Sequence, residues 1–242
     1  MTGFVVHGTF DALAWLAAGA AALWVMRAGH VAFPVPEPLR IAYLAALAVG
    51  AAFGAYLFGS TNLWLSGQTG LARSIEGAVA GGIVAIELYK RAAGIHGRTG
   101  ARFALPFAVG VAIGRIGCFL SGIEDFTHGT PTDLAWGHDF GDGVMRHPVQ
   151  LYESAAMALF AIVYVARVRK GDRFWIANGF YLAVSYYAAQ RFVWEFFKPY
   201  ASVLGPFTLF HLLSAAVLAY AVVMIATAPK PAGGASDERA FA

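Results

Sequence analysis

Ionisable side chains inside apolar stretches are the residues of this sequence best suited to chemistry. Arg115 lies within "GRIGCFLSGIEDF", and Arg191 precedes Glu195 by four residues. A guanidinium has forked donors that match phosphodiester oxygens, so two such groups could bind a lipid phosphate. The arginines could instead only neutralise carboxylates, with Arg191 pairing with Glu195. Arg115 would then pair with Glu76 or Glu153, and spacing alone leaves both interpretations open.

Helical spacing groups some of these residues on shared faces. Tyr187, Arg191 and Glu195 are four residues apart, so they occupy one face of a helix. Cys118 follows Arg115 by three residues and shares its face in the same way. The small residues on that second face leave room for a ligand or a neighbouring helix.

The composition is that of a membrane protein. Of 242 residues, 59% are hydrophobic and only 13% are charged, whereas soluble domains carry about 25% charged residues. The net charge of +3 is too small to suggest a nucleic-acid partner, and no basic block supports one. The single cysteine, Cys118, excludes an internal disulfide and a zinc site built from cysteines. No Lys or Arg precedes Arg27, so the first apolar run is interpreted as a retained helix.

The apolar segments have the length of membrane-spanning helices, which need about 20 residues. The predicted spans are residues 9–27, 40–59, 74–92, 103–122, 149–168, 174–196 and 204–227. We therefore predict an all-α polytopic membrane protein with seven transmembrane helices. Residues 1–228 form one membrane domain, and residues 229–242 form a disordered tail.

Positive charge is concentrated in alternate connections, which predicts the orientation by the positive-inside rule. The basic connections contain Arg27, Arg40, Lys90, Arg91, Arg98, Arg102, Arg167, Arg169, Lys170 and Arg173. The N-terminus is therefore expected outside and the C-terminus in the cytoplasm. The longest connection, residues 123–147, is acidic and is expected outside a bacterial inner membrane.

On this topology, most ionisable groups of the spans lie toward the outer leaflet. They are Asp11, Glu76, Arg115, Glu153, Arg191 and Glu195. Glu87 is the exception, near the cytoplasmic end beside Lys90 and Arg91, where an ordinary ion pair is expected. A transporter would place polar groups near the midplane, so one-sided clustering favours a site that opens to the outer leaflet.

Several motifs in order resemble the prolipoprotein diacylglyceryl transferase family. They are "GRIGCFLSG", "GTPTDLAWG", "RHPVQLYES" and "YYAAQRFVWEFFKP". The family patterns read approximately G-R-x-G-N-F-x-N-G-E, R-P-T-D-x-x-W-G and R-H-P-x-Q-L-Y-E, and the last segment carries a second essential arginine. The resemblance covers roughly residues 70–200.

The resemblance implies transfer of a diacylglyceryl group from phosphatidylglycerol, or a related phospholipid, to a lipobox cysteine in a prolipoprotein signal peptide. Arg115 and Arg191 would bind the phosphate and stabilise the leaving anion. Glu153 and Glu195 would orient them, with Tyr187 on the same face as Arg191. A different group must take the thiol proton, because arginine stays protonated. The resemblance implies no metal and no organic cofactor.

The helical motifs depart from the family at several positions. Glu76 stands where the family has a histidine, and it could act as the base or as an arginine's ion-pair partner. Cys118 and Ser121 replace asparagines, and we interpret them as small residues beside the substrate. Either Glu124 or Asp125 could replace a motif glutamate, and side-chain identity favours Glu124. In the first helix, His7 and Phe10 stand near the position where the family has a tyrosine.

The segment before the fifth helix supplies further candidates. Arg146, Gln150 and Tyr152 are expected around the site entrance, with Glu153, and His147 is a second candidate base. Pro148 can begin the fifth helix. His128, His138, Asp139, Asp142 and His147 match no compact metal-ligand pattern, so we interpret them as ordinary loop polarity.

Three functional hypotheses follow. The first is a phosphatidylglycerol-dependent transferase that acts on a lipobox cysteine. The second is a divergent paralogue that transfers a phospholipid-derived group to another acceptor. The third is a non-catalytic phospholipid-binding or transport protein.

Overall fold

The computed structural model describes residues 3–28, 31 and 33–228, and this part of the chain contains seven α-helices. They are α1 (Gly3–Arg27), α2 (Arg40–Leu65), α3 (Ile75–Ala92), α4 (Ala104–Ser121), α5 (Val149–Arg169), α6 (Arg173–Glu195) and α7 (Leu209–Ala226). Each overlaps one predicted segment, so the prediction of seven helices is confirmed. The single-domain division stays a prediction, and the tail at 229–242 lies outside the described residues.

Five of these helices, α1, α2, α4, α5 and α7, are long and apolar enough to cross a membrane. The protein is therefore a polytopic membrane protein. Glu76 and Glu87 interrupt the apolar character of α3. Arg191 and Glu195 do the same in α6. That α3 and α6 also span, and which side each helix end faces, stay predictions.

Two helices extend beyond their predicted ends. α1 begins at Gly3 instead of residue 9, since no proline interrupts its start, and this places His7 one turn before Asp11. α2 continues from the predicted residue 59 to Leu65. It stops where Gly67 takes a positive φ of 75°.

The seventh helix begins later than the predicted residue 204. Strands β3 (Ser202–Leu204) and β4 (Phe207–Thr208) form an antiparallel hairpin whose turn contains Gly205 at φ 56°. α7 then begins at Leu209, because the Thr208 hydroxyl accepts a hydrogen bond from the His211 amide at 3.4 Å. The apolar residues of the hairpin were mistaken for the first turn of the helix.

The long connection between α4 and α5 contains little regular structure. A short 3₁₀ turn, Gly122–Asp125, continues directly from α4. Strands β1 (His138–Asp139) and β2 (Met145–Arg146) then pair antiparallel. Asp139 holds this hairpin by accepting hydrogen bonds from the amides of Gly141, Asp142 and Gly143.

α4 lies at the centre of the bundle, where it contacts α1, α5 and α6. The core around it includes Ala104, Ala108, Met157, Tyr164 and Tyr187. Small residues on α4 and large ones on α5 and α6 fill this space. The starts of α3 and α5 and the ends of α4 and α6 lie at the same end of the bundle. The polar residues of these four helix ends therefore come together there.

α2 and α3 pack closely through glycines. Gly50 and Gly54 on α2 face Gly77 and Gly81 on α3, and a Cβ at Gly54 would overlap the backbone of α3. Small residues four apart allow this close approach of two helices. The contact holds α3, and Glu76 at its start, in place.

Candidate functional site

Four helix ends meet at a buried group of charges that we call the ionic cluster: Glu76, Arg115, Glu153, Arg191, Glu195 and Lys198. Glu76 is in the first turn of α3 and Glu153 is near the start of α5. Arg115 is in the last two turns of α4, and Arg191 is in those of α6. All six residues are buried.

Glu153 is the centre of the ionic cluster. Its Oε2 pairs with the Nε of Arg115, and its Oε1 lies 2.6 Å from Nη1 of Arg191. Lys198 Nζ is 2.9 Å from the same Oε1. One fully buried carboxylate therefore holds three cations, and the two guanidiniums converge on a single small anion.

Arg191 has two more carboxylate partners. Its Nη2 is 2.9 Å from Oε2 of Glu195, and its Nε is 3.5 Å from Oε2 of Glu76. The other oxygen of Glu76 accepts a hydrogen bond from the Ser214 hydroxyl. Glu195 likewise accepts from the Thr208 hydroxyl at 2.7 Å. Ser214 of α7 and Thr208, the residue just before α7, thus hold the two carboxylates.

The formal charges balance, with three cations and three carboxylates. Buried charges require such pairing, because removing them from water is costly. In this structure Arg115 and Arg191 are therefore both paired with carboxylates, as the second interpretation of the sequence expected. Because both arginines already converge on carboxylate oxygens, a phosphate oxygen could take the same donors.

Lys198 and Tyr187 complete the surroundings of the two arginines. Lys198 was missed in the sequence, although it stands in "EFFKP" three residues after Glu195. Burial, together with the neighbouring Arg191, lowers the pKa of Lys198 to about 8, against the opposing effect of Glu153. Tyr187 is fully buried, and its hydroxyl has no hydrogen-bond partner among the described residues.

A second group, which we call the His–Cys–Asp group, adjoins the ionic cluster: His7, Cys118 and Asp125. His7 Nε2 lies 3.2 Å from Oδ1 of Asp125 and 3.8 Å from Sγ of Cys118. Arg115 Nη1 donates to the same Sγ at 3.8 Å, so Arg115 contacts both groups. The sequence did not indicate this group, because 111 residues separate His7 from Cys118.

The two candidate acids of the 3₁₀ turn after α4 have different surroundings. Glu124 is exposed, whereas Asp125 is largely buried and contacts His7. Asp125 therefore faces the bundle and Glu124 faces away from it, and the role of Glu124 preferred from side-chain identity stays a prediction. Ser121 lies on the last turn of α4, and its hydroxyl donates to the Gly117 carbonyl at 2.8 Å.

Besides Glu153, Gln150 is the entrance candidate that reaches these groups. It is fully buried and donates to the Thr127 hydroxyl at 3.4 Å. Thr127 in turn donates to Oδ2 of Asp125 at 2.7 Å.

The other entrance candidates make contacts of their own. The ring centroid of His147 lies 4.9 Å from that of Phe197. The Tyr152 hydroxyl accepts a hydrogen bond from the indole N–H of Trp136 at 2.8 Å. Arg146 forms two hydrogen bonds with Asp142, and they lower the pKa of that exposed carboxyl to about 2.

Potential metal ligands come together at one place in the described part of the chain, and it is the His–Cys–Asp group. The loop residues His128, His138, Asp139, Asp142 and His147 form no such group there.

An apolar cavity of about 430 Å³ adjoins the site. Asp11 and Gly114 line it near the ionic cluster, and Glu87 lines it toward the opposite, basic end of the bundle. The ion pair predicted between Glu87 and Lys90 forms at that end, at 3.1 Å. The cavity volume is within the range of small-molecule sites.

Comparisons with known proteins bear on the whole chain. The family model for prolipoprotein diacylglyceryl transferase matches residues 6–227. A Cupriavidus pinatubonensis protein named phosphatidylglycerol–prolipoprotein diacylglyceryl transferase is 31% identical over 208 residues, covering 79% of this chain and 73% of that protein. A Geobacter sulfurreducens protein of the same name is 31% identical over 188 residues, covering 69% and 67%. No solved structure matches the chain.

Proposed function

The chain belongs to the prolipoprotein diacylglyceryl transferase family, and we propose that it transfers a diacylglyceryl group from phosphatidylglycerol, or a related phospholipid, to an acceptor thiol. The acceptor is the lipobox cysteine of a prolipoprotein. The site faces the outer leaflet of a bacterial inner membrane, with the N-terminus outside and the C-terminus in the cytoplasm.

The convergence of two guanidiniums on one carboxylate carries this proposal. Arg115 and Arg191 bind the two oxygens of Glu153, and a phosphodiester offers two oxygens to donors of the same kind. Lys198 Nζ, 2.9 Å from Glu153, supplies a third cation at the same point. Phosphate binding would redistribute contacts that Glu153 and Glu195 now make, so those carboxylates act as positioning residues.

The reaction breaks one bond and forms another at the same carbon. The acceptor thiol gives its proton to a base, and the resulting thiolate attacks the glycerol carbon that is bonded to the phosphate oxygen, so that a C–S bond forms as the C–O bond breaks. The electron pair of the C–O bond goes to the phosphate oxygen, and glycerol phosphate leaves. Arg115 and Arg191 stabilise the charge that develops on this leaving group.

The two candidate bases differ in their surroundings. Glu76 lies in the ionic cluster, where Arg191 and Ser214 contact its two oxygens. We assign it as an ion-pair partner that positions Arg191. His147 packs against Phe197 at the entrance. Tyr187 is proposed to donate to the phosphate, because its buried hydroxyl has no partner among the described residues.

The apolar cavity beside the ionic cluster provides space for an acyl chain. It is lined at one end by Gly114, next to Arg115, and by Ile75, next to Glu76. A lipid whose phosphate binds the arginines could therefore place a chain in the cavity. Gln150 and Tyr152, at the start of α5, would border the acceptor.

Turnover by the purified full chain tests the proposal. The protein is incubated with labelled phosphatidylglycerol and a lipobox peptide, and peptide lipidation and glycerol phosphate are measured. Arg115→Lys and Arg191→Lys should each lower the rate by about 100-fold, because lysine keeps the charge but loses the forked donors. Arg167→Lys, an exposed arginine near the opposite end of the bundle, is the matched control and should be fully active.

The products separate the three hypotheses. Phospholipid binding without peptide lipidation would contradict the proposed transferase activity. Glycerol phosphate release with a different acceptor would favour the divergent paralogue. Glu76, Cys118 and Ser121, which depart from the family pattern, are the residues that suggest this second hypothesis. Binding without any release would favour a non-catalytic lipid-binding protein.

A further inference from the structure

We propose that His7, Cys118 and Asp125 bind a zinc ion, and that this ion holds the acceptor thiol as a thiolate beside Arg115. The metal site stands on the geometry of the His–Cys–Asp group alone. Its role toward the acceptor rests on the proposed function.

The two distances from His7 to its partners are close to those between neighbouring ligands of a tetrahedral metal. Zinc bonds of about 2.0–2.3 Å place neighbouring ligand atoms about 3.3–3.8 Å apart. His7 Nε2 lies 3.2 Å from the Asp125 oxygen and 3.8 Å from the Cys118 sulfur. All three potential ligand atoms lie within 4.8 Å of one another. One thiolate, one imidazole and one carboxylate form a donor set suited to zinc.

Each potential ligand is held by an outer partner, as ligands of metal sites usually are. Asp11 Oδ2 lies 3.2 Å from Nδ1 of His7, which leaves Nε2 for the metal. Thr127 donates to the second oxygen of Asp125 at 2.7 Å. Arg115 donates to the Cys118 sulfur at 3.8 Å.

The number of ligands and their exposure favour a catalytic site over a structural one. Structural zinc sites are closed by four protein ligands, whereas catalytic sites have three and leave one position for water or substrate. Here three residues converge. Cys118 is buried, but the side chains of His7 and Asp125 are 24% and 15% exposed. An acceptor can therefore reach the fourth position from the surface.

Zinc supplies the proton transfer that the ionic cluster does not. A thiol that binds zinc loses its proton, here to water, and the resulting thiolate attacks the glycerol carbon. The C–S bond forms, the C–O bond breaks, and its electron pair goes to the phosphate oxygen held by Arg115 and Arg191. Because Arg115 contacts both Cys118 and Glu153, the thiolate and the phosphate would meet at neighbouring points.

Metal binding is tested on the purified full chain, first stripped with a chelator and then loaded with zinc or cobalt. We expect about one metal ion per chain and, with cobalt, a thiolate-to-metal charge-transfer band. Cys118→Ser should abolish the band, and Asp125→Asn should weaken zinc binding at least 10-fold. Asp11→Asn, which changes only an outer partner, should weaken it about 10-fold.

Glu124→Gln is the matched control for metal binding, since it alters the exposed acid next to Asp125. It should leave the band and the zinc affinity unchanged. Size-exclusion chromatography and melting temperature identify variants that fail to fold, and Asp11→Asn then remains as the second test. Absence of metal in the loaded wild type, or a band that persists in Cys118→Ser, overturns the metal site.

Lipidation assays on the same samples separate this inference from the proposed function. Lipidation that stops on chelation and returns with zinc supports both. Full lipidation by the stripped protein overturns the zinc role and leaves the transferase intact. Zinc binding without lipidation in any sample supports the metal site, and it overturns both the thiol-binding role and the proposed function.

Discussion

At the scale of single residues, Glu153 is the side chain on which the buried charges depend most. It contacts Arg115, Arg191 and Lys198. Glu153→Gln would leave these cations without their shared counter-charge, and breaking a buried ion pair costs about 3–5 kcal/mol. We expect a clearly lower melting temperature of the detergent-solubilised protein, measured by intrinsic fluorescence.

Asp142→Asn is the control for Glu153→Gln. It removes a carboxylate whose pairing with Arg146 takes place in an exposed loop, where ion pairs contribute little. Its melting temperature should match the wild type. An equal loss of stability in both variants would contradict the central role of Glu153.

Lys198 gives the site a pH dependence of definite sign. Burial and Arg191 lower its pKa to about 8, so this side chain loses its charge as the pH rises through that value. If Lys198 helps to bind the phosphate, phospholipid affinity should fall between about pH 7 and 9. Lys198→Arg stays protonated and should bind equally well across this range. Equilibrium binding of labelled phosphatidylglycerol to both proteins measures the effect, and identical pH profiles would exclude the role.

Five of the six residues of the ionic cluster, all but Lys198, could be found in the sequence, whereas the contacts of the His–Cys–Asp group could not. A charge in an apolar segment is conspicuous, which is how Glu76, Arg115 and Arg191 were identified. Asp125 and His7 were not paired, because their meeting depends on the turn after α4 and on a helix start that hydropathy did not predict. The backbone at Gly122, with φ 74°, determines which acid faces inward.

At the scale of helices, the glycine contact between α2 and α3 should be essential. Gly54→Leu would force a large side chain against the backbone of Gly77 and Gly81. We expect loss of most folded protein, measured as the monodisperse fraction after detergent extraction. Gly19→Leu is the matched control, because a Cβ at Gly19 on α1 meets no other atom within 4 Å. Similar yields of both variants would contradict this view of the packing.

The helices were predictable because about 20 apolar residues must cross a bilayer as helix. α4 and α5 therefore match their predicted bounds within one residue. The start of α7 was wrong, since a hairpin and a helix can share one apolar run and only the cap at Thr208 separates them. α1 and α2 were predicted too short, because a span-length window does not show where a helix extends into the interface.

At the scale of the whole molecule, the two ends of the bundle differ in charge. The ionic cluster and the His–Cys–Asp group lie at the same end, with carboxylates from α3, α5 and α6. The opposite end carries the basic connections, including Arg98, which donates to Asn178 at 2.6 Å. The positive-inside rule predicts that the basic end faces the cytoplasm, and we therefore propose that the site faces outward, where a secreted acceptor would arrive.

Cysteine labelling of intact cells tests this orientation. Ala135→Cys lies exposed in the predicted external connection, and Lys170→Cys lies exposed in the turn between α5 and α6. A maleimide that cannot cross the membrane should label Ala135→Cys in whole cells and Lys170→Cys only after permeabilisation. The wild type, whose one cysteine is buried, measures background. The reverse pattern would place the site on the cytoplasmic side, where an acceptor already exported by the cell could not reach it.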